Sequence, residues 1–321
     1  MSPTMSARRR ALPAALLSAG VLVSLAACAP TVTAGYGTCA PAFAVGETAG
    51  TVVAPGELGA SAVVDFPKPL TVDETQIAVI ADGEGDRVEA GETSLMTVSV
   101  FSAEDGSPLG YISSSLLRVA DGGLIRGAGL MAQCAREGAR VAAVGDASEL
   151  LGEDLISGQG LPVEADDDVV LVADVGQTFL GKADGADRLP EAGFPAVALA
   201  PDGRHGITIP SGEAPTEARD AVLKQGDGDT VEAGDQIVAQ YTAVDWESGE
   251  LLESSWEAGT AAPLLLEEGS TAVPPALVDA LVGTQVGSQI IAILPPAEDA
   301  AAQPGGAAGT QVYVVDILGI V

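Results

Sequence analysis

Two stretches, Gly83–Gly106 (GEGDRVEAGETSLMTVSVFSAEDG) and Gly226–Gly249 (GDGDTVEAGDQIVAQYTAVDWESG), align without a gap 143 positions apart. Val-Glu-Ala-Gly is shared outright at Val88–Gly91 and Val231–Gly234, and Gly83, Gly85, Asp86, Glu104 and Gly106 recur in the second copy. The match resumes downstream, where Glu137–Val141 parallels Val286–Ile290 and Val169–Val175 parallels Gln311–Ile317. A period this long marks a repeated domain rather than a solenoid repeat. Two related units follow, residues 66–178 and 208–321, joined by a linker at 179–207 in a Gly-, Pro- and Ala-rich region.

Within each unit the signals are mostly short strands. Asp235–Val244 mixes alternation with a β-branched bias, and Ser288–Leu294 and Thr310–Leu318 are apolar runs bounded by turn residues. Pro275–Val282, closed by Gly283, is the clearest helix, with Leu277 and Leu281 four apart on one face. Glu104-Asp105-Gly106 and Glu247-Ser248-Gly249 are expected to turn hairpins. The expectation is an α+β fold made twice, each copy an antiparallel sheet curling over one short helix.

Arg8–Arg10 precede an apolar stretch, Ala11–Leu25, too short and alanine-rich for a membrane span. It ends in Leu25-Ala26-Ala27-Cys28, which resembles the bacterial lipobox. The expectation is a signal peptide over 1–27, a lipid on Cys28 and a flexible tether over 28–65. Such a chain is exported and held on the outer face of the cell membrane. Loss of residues 1–27 removes three of 14 basic side chains and none of 45 acidic ones, which excludes a nucleic-acid partner. With Cys28 acylated, Cys39 and Cys134 either form a disulfide or remain as one buried and one exposed thiol.

The second unit also carries an ordered set of motifs. Gly234-Asp235 is followed by Gln240-Tyr241-Thr242, then Gly249–Ser255 (GELLESS), then Ala280–Gly287 (ALVGTQVG), then Ile293–Pro296 and the closing strand Thr310–Ile317. In this order they resemble the FKBP-type peptidyl-prolyl cis–trans isomerases, and the whole chain resembles a bacterial lipoprotein with tandem FKBP-like domains. The resemblance implies rotation about X–Pro bonds, whose barrier of roughly 20 kcal/mol comes from amide resonance. It calls for a dry groove that binds the twisted imide, and for no cofactor, metal or nucleophile. It places Tyr241, Leu252, Glu253, Leu264, Val273, Pro274, Leu277, Ala300 and Tyr313 in or near that groove. The implied partners are proline-containing exported polypeptides, and the implied state is a monomer.

Departures from the family pattern open an alternative. The family has Phe at Leu252, Trp at Leu277, Tyr near Ala300 and Asp at Glu253, and Leu264 replaces another aromatic. An impaired domain would hold polypeptide as a chaperone-like module, or would build the envelope. The first unit is more eroded: Val98 and Leu171 stand at the Tyr241 and Tyr313 positions, and Leu109-Gly110 at Leu252-Glu253. It is expected to be structural or binding. His205, the single histidine, lies in Pro201–Gly206 and is expected at a surface turn, which leaves no base for a Ser-His-Asp triad. Trp246 and Trp256 are expected to cover the sheet.

Overall fold

The computed structural model describes residues 36–120, 125–189, 191–267, 269–270, 272–296 and 309–321. The signal peptide, Cys28 and Ala300 therefore lie outside the described residues. In chain order the first half contains β1 (Ala44–Val45), β2 (Gln76–Ala81), β3 (Thr93–Ser102), β4 (Pro108–Arg118), α1 (Arg126–Ala132), β5 (Arg140–Asp146), α2 (Ala147–Leu150), α3 (Glu153–Gln159) and β6 (Asp168–Phe179). The second half contains β7 (Ala186–Asp187), β8 (Ala196–Leu199), β9 (His205–Thr208), β10 (Arg219–Gln225), β11 (Gln236–Asp245), β12 (Leu251–Ser254), α4 (Ser255–Ala258), β13 (Ala262–Leu265), α5 (Pro275–Leu281), β14 (Gln289–Leu294) and β15 (Gln311–Ile320). The class is α+β.

Two large sheets result, ordered β1-β2-β5-β6-β3-β4 and β12-β11-β15-β14-β10-β7, with β13 added to β11. Their registers coincide. Val98 faces Ala173 as Tyr241 faces Val315, and Val100 lies between Leu171 and Gly110 as Ala243 lies between Tyr313 and Glu253. Arg140 faces Asp174 as Gln289 faces Asp316. After the helix, Cys134 N–H donates to the Val88 carbonyl and Gly283 N–H to that of Val231, both at 2.8 Å. Both residues have positive φ, 71° at Cys134 and 85° at Gly283, a conformation that glycine adopts freely and cysteine does not.

Each sheet is buried on both faces. In the first, Val141, Ala143, Leu171 and Ala173 face α1, while Ala142, Val144, Val170 and Val172 face Ala49, Val52, Phe66 and Leu70. In the second, Ile290, Ala292, Val315 and Ile317 face α5, while Ile291, Ile293, Val312 and Val314 meet Phe194, Val197, Ile207 and Ile209. Successive strand residues point to opposite faces, so double coverage demands apolar side chains at every position. This is why β6, β14 and β15 contain the apolar runs Val169–Ala173, Ile290–Leu294 and Val312–Val315, with Asp174 and Asp316 following the first and last of them.

The covering arms correct two compositional readings. From Tyr36 onward, the segment read as a flexible tether (28–65) packs on the first sheet: Tyr36, Phe43, Ala49 and Val52 are buried, and β1 pairs with β2. Cys39 and Cys134 are joined by a disulfide, with Cα atoms 5.6 Å apart. The linker at 179–207 contains the buried Phe179, β7 on the edge of the second sheet, and most of the β8–β9 hairpin. His205 is also corrected. It is 7% exposed, because it starts β9 facing the sheet and its Nε2 lies 3.2 Å from an Asp316 carboxylate oxygen. Trp246 and Trp256 are buried.

Both arms are fixed to equivalent aspartates. Arg140 makes a two-point contact with buried Asp174 and donates to the carbonyls of Ala54, Gly56 and Glu57, while Gly59 N–H donates to Asp174 at 2.6 Å. Asp316 instead accepts from Gln289 at 2.7 Å and from Ala183 N–H at 3.0 Å, beside His205. Among the described residues no helix is long and apolar enough to cross a membrane.

Candidate functional site

The sequence-derived site residues lie on the helix-facing side of the second sheet. β11 carries Tyr241 and β15 carries Tyr313, both half-buried on the cluster that contains Leu277 and Val273. The two rings are 6.4 Å apart, tilted 34°. Leu277 lies within α5, 3% exposed, and its position follows from the 3.6-residue period that turns Leu277, Val278 and Leu281 toward the sheet. Pro274 caps α5: its carbonyl accepts from Leu277 N–H at 2.9 Å and Val278 N–H at 3.1 Å. Leu264, half-buried on β13 opposite Ile237, completes the apolar side.

Glu253 and Leu252 stand on β12 at the rim. Glu253 is exposed. Burial first, then hydrogen bonding to Glu253 and its charge, push the Tyr241 hydroxyl well above the ordinary phenol range. Tyr313 shifts the same way, by burial and then by the Glu253 charge, and its hydroxyl donates to Gln311 at 3.3 Å. Both phenols are thus held neutral as hydrogen-bond donors. Leu252 is 48% exposed at a register shift between β11 and β12, outside the apolar cluster. So Tyr241, Leu264, Val273, Leu277 and Tyr313 come together, Glu253 joins through Tyr241, Pro274 acts through the helix cap, and Leu252 stays apart.

Two residues support the site: Ser255, whose role was not singled out in the sequence, and Trp256, expected to cover the sheet. Ser255, buried at the start of α4, accepts from Tyr241 N–H at 2.8 Å and bonds the Gln240 side chain. It closes the motif GELLESS, but nothing in the spelling shows that its hydroxyl reaches back 14 residues. Trp256 follows it and packs edge-on to His205, ring centroids 5.6 Å apart. Among the described residues no three His, Cys, Asp or Glu side chains gather as a metal set.

The equivalent face of the first unit is closed. Val98 and Leu171 replace the tyrosines, and Ala128 stands where α5 has Leu277. The room is taken by Leu150 of α2, fully buried against α1. A Cβ on Gly127 would lie 2.6 Å from the Leu150 carbonyl oxygen, so glycine is what admits α2.

Residues 228–311 match the family model described as FKBP-type peptidyl-prolyl cis-trans isomerase. A protein of Streptomyces anulatus described as FK506-binding protein is 28% identical over 120 residues, covering 36% of this chain and 94% of that one. Among solved structures, FkpA from Escherichia coli is similar at 22% identity with a TM-score of 0.29, covering 41% of this chain and 53% of that one. The three FKBP domains of wheat FKBP73 are similar at 13% identity with a TM-score of 0.32, covering 77% of this chain and 94% of that one. The stretch 228–311, which holds Tyr241 and Leu277, is thus similar to the FKBP-type peptidyl-prolyl cis-trans isomerases.

Proposed function

We propose that the chain is a folding helper that isomerises X–Pro bonds in exported polypeptides, through the face bounded by Tyr241, Tyr313 and Leu277. The observation that carries this reading is the tyrosine pair on the apolar cluster of Leu277, of which Tyr241 and Leu277 lie inside the residues, 228–311, that match the isomerase family. An apolar floor disfavours the charge-separated resonance form of the imide, and the Tyr313 hydroxyl, by releasing Gln311, becomes a donor to a carbonyl that twists out of conjugation. No proton, metal or covalent bond to the substrate is needed. The repeated register supports reading the first unit as a second FKBP-like domain in tandem, its groove filled by Leu150. Export, a lipid on Cys28 and attachment to the outer membrane face belong to the same reading, supported by the lipobox spelling. Palmitate labelling lost on Cys28→Ser checks the anchor.

Isomerisation of proline peptides by the full chain tests the activity. Tyr241→Ala should lower kcat/KM by about tenfold, the factor that 1.4 kcal/mol of lost transition-state binding gives. A rate no higher than the uncatalysed one, across several residues before proline, would sink it. The second reading, a module that holds polypeptide without turnover, is favoured by one feature: leucines stand at 252 and 277, where the family has rings. Peptide binding without catalysis would select it.

A further inference from the structure

β12, α4 and β13 form the rim of the second unit's groove. β12 and β13 are four-residue strands, and each pairs with β11. Further support comes from the first half of the chain. Arg118, at the end of β4, sets its guanidinium 5.0 Å from the Trp256 ring centre and donates to the Asp202 carbonyl at 3.3 Å. Thr260 Oγ1, between α4 and β13, donates to the Leu116 carbonyl at 2.6 Å. Leu95 and Leu116 then pack against Val238, Ala261 and Leu318.

These ties converge on α4. Trp256 receives Arg118 on one side and the His205 ring on another, and a Cβ on Gly203 would lie 2.9 Å from the indole. One residue earlier, Ser255 fixes the backbone of Tyr241. A guanidinium over an indole in a half-buried site is among the stronger cation–π geometries, and its planar fork also satisfies a carbonyl.

We propose that the first unit braces the second: Arg118 is a positioning residue that acts through Trp256 and Ser255 to hold the Tyr241–Glu253 rim. This rests on the isomerase reading of the second unit. The brace gives the closed, eroded unit a role that needs no groove of its own. It also gives Arg118, at the end of an edge strand, a role of its own.

The full chain tests this with Arg118→Ala, Arg118→Lys and Thr260→Val, each also in a Trp246→Phe background so that Trp256 is the one tryptophan reporting. Arg118→Ala should shift the Trp256 emission and raise KM for a proline peptide about three- to tenfold at unchanged kcat, the signature of lost uniform binding. Arg118→Lys, which keeps a cation on the ring, should recover part of that loss, and Thr260→Val should act in the same direction. Peptide affinity is titrated in parallel. Should no variant, nor the parent, catalyse isomerisation, affinity falling in Arg118→Ala would keep the brace and discard the isomerase reading. A shifted Trp256 emission with KM and affinity both unchanged would overturn the brace. So would a loss of affinity that merely follows a loss of folded protein, measured by the thermal transition of each variant.

Discussion

The two sheets place the same aspartate under the same kind of arm, yet hold it by different chemistry. Asp174 is locked by the guanidinium of Arg140, itself 2% exposed, whereas Asp316 is met by an amide, a backbone N–H and the imidazole of His205. The helix-facing sides diverge in parallel. The first unit fills its groove with Leu150 and staples its arm to the end of α1 by Cys39–Cys134, while the second leaves Tyr241 and Tyr313 half-buried over Leu277. One copy packs its helix-facing side closed, and the other leaves two tyrosines only half-buried on its own. The difference shows how a repeat can keep its register while its interior polarity and its openness drift apart.

The sharpest way to break the comparison is to remove the partner of each aspartate. Arg140→Ala leaves Asp174 buried and uncompensated and should cost about 3–5 kcal/mol of folding stability. Gln289→Ala leaves Asp316 with Ala183 N–H and His205 and should cost less, about 1–3 kcal/mol. Urea unfolding of the two variants gives both numbers, and equal costs would mean that the charge pair is not what sets the arms apart. Next comes the plug. Leu150→Ala should cost about 2–5 kcal/mol by cavity formation while leaving isomerisation by the second unit at its parent rate. Leu277→Ala should cost a similar amount and also lower kcat/KM. Loss of activity in Leu150→Ala at a temperature where the chain remains folded would show that the first unit's interior reaches the groove.

Much of this architecture was legible. The repeat spelling placed the sheets, because turn residues such as Gly234 and Gly249 sit where the chain must adopt positive φ, and those positions survive when apolar residues interchange. The helix at Pro275 was legible from its proline start and its period. The arms were not. A Gly-, Pro- and Ala-rich segment has the composition of a tether, and only the apolar runs Ile290–Leu294 and Val312–Val315 hinted that something must cover a second face. His205 was misplaced for the same reason, since a turn-like spelling around it hides the aspartate 111 residues away that it meets. Tyr241, Tyr313, Leu264, Val273 and Leu277, chosen by motif order, share one apolar cluster. Leu252 was not placed correctly, because an extra residue at the β11–β12 register shift decides which way its side chain points.

The smallest expected effect is electrostatic and isolates the rim. The Tyr241 hydroxyl is raised by burial and by Glu253, while the first unit has Val98 and Gly110 at these places. A phenol whose folded value lies above its ordinary value of about 10 binds its proton more tightly in the folded chain. That contribution to stability is whole below about pH 10 and is lost as pH rises through the folded value. Glu253→Gln removes the negative charge but leaves the burial, so the Tyr241 hydroxyl should titrate at lower pH than in the parent while remaining above the ordinary range. Tyr36, raised by burial alone in the first half, should not move and serves as the internal reference. Phenolate absorbance followed in parent, Glu253→Gln and Tyr241→Phe chains assigns the two steps. Because Glu253 is exposed and screened, its change should cost under about 1 kcal/mol at neutral pH. A Tyr241 step unmoved by Glu253→Gln would show that the carboxylate does not hold the hydroxyl, and that the open groove, like the closed one, is set by burial alone.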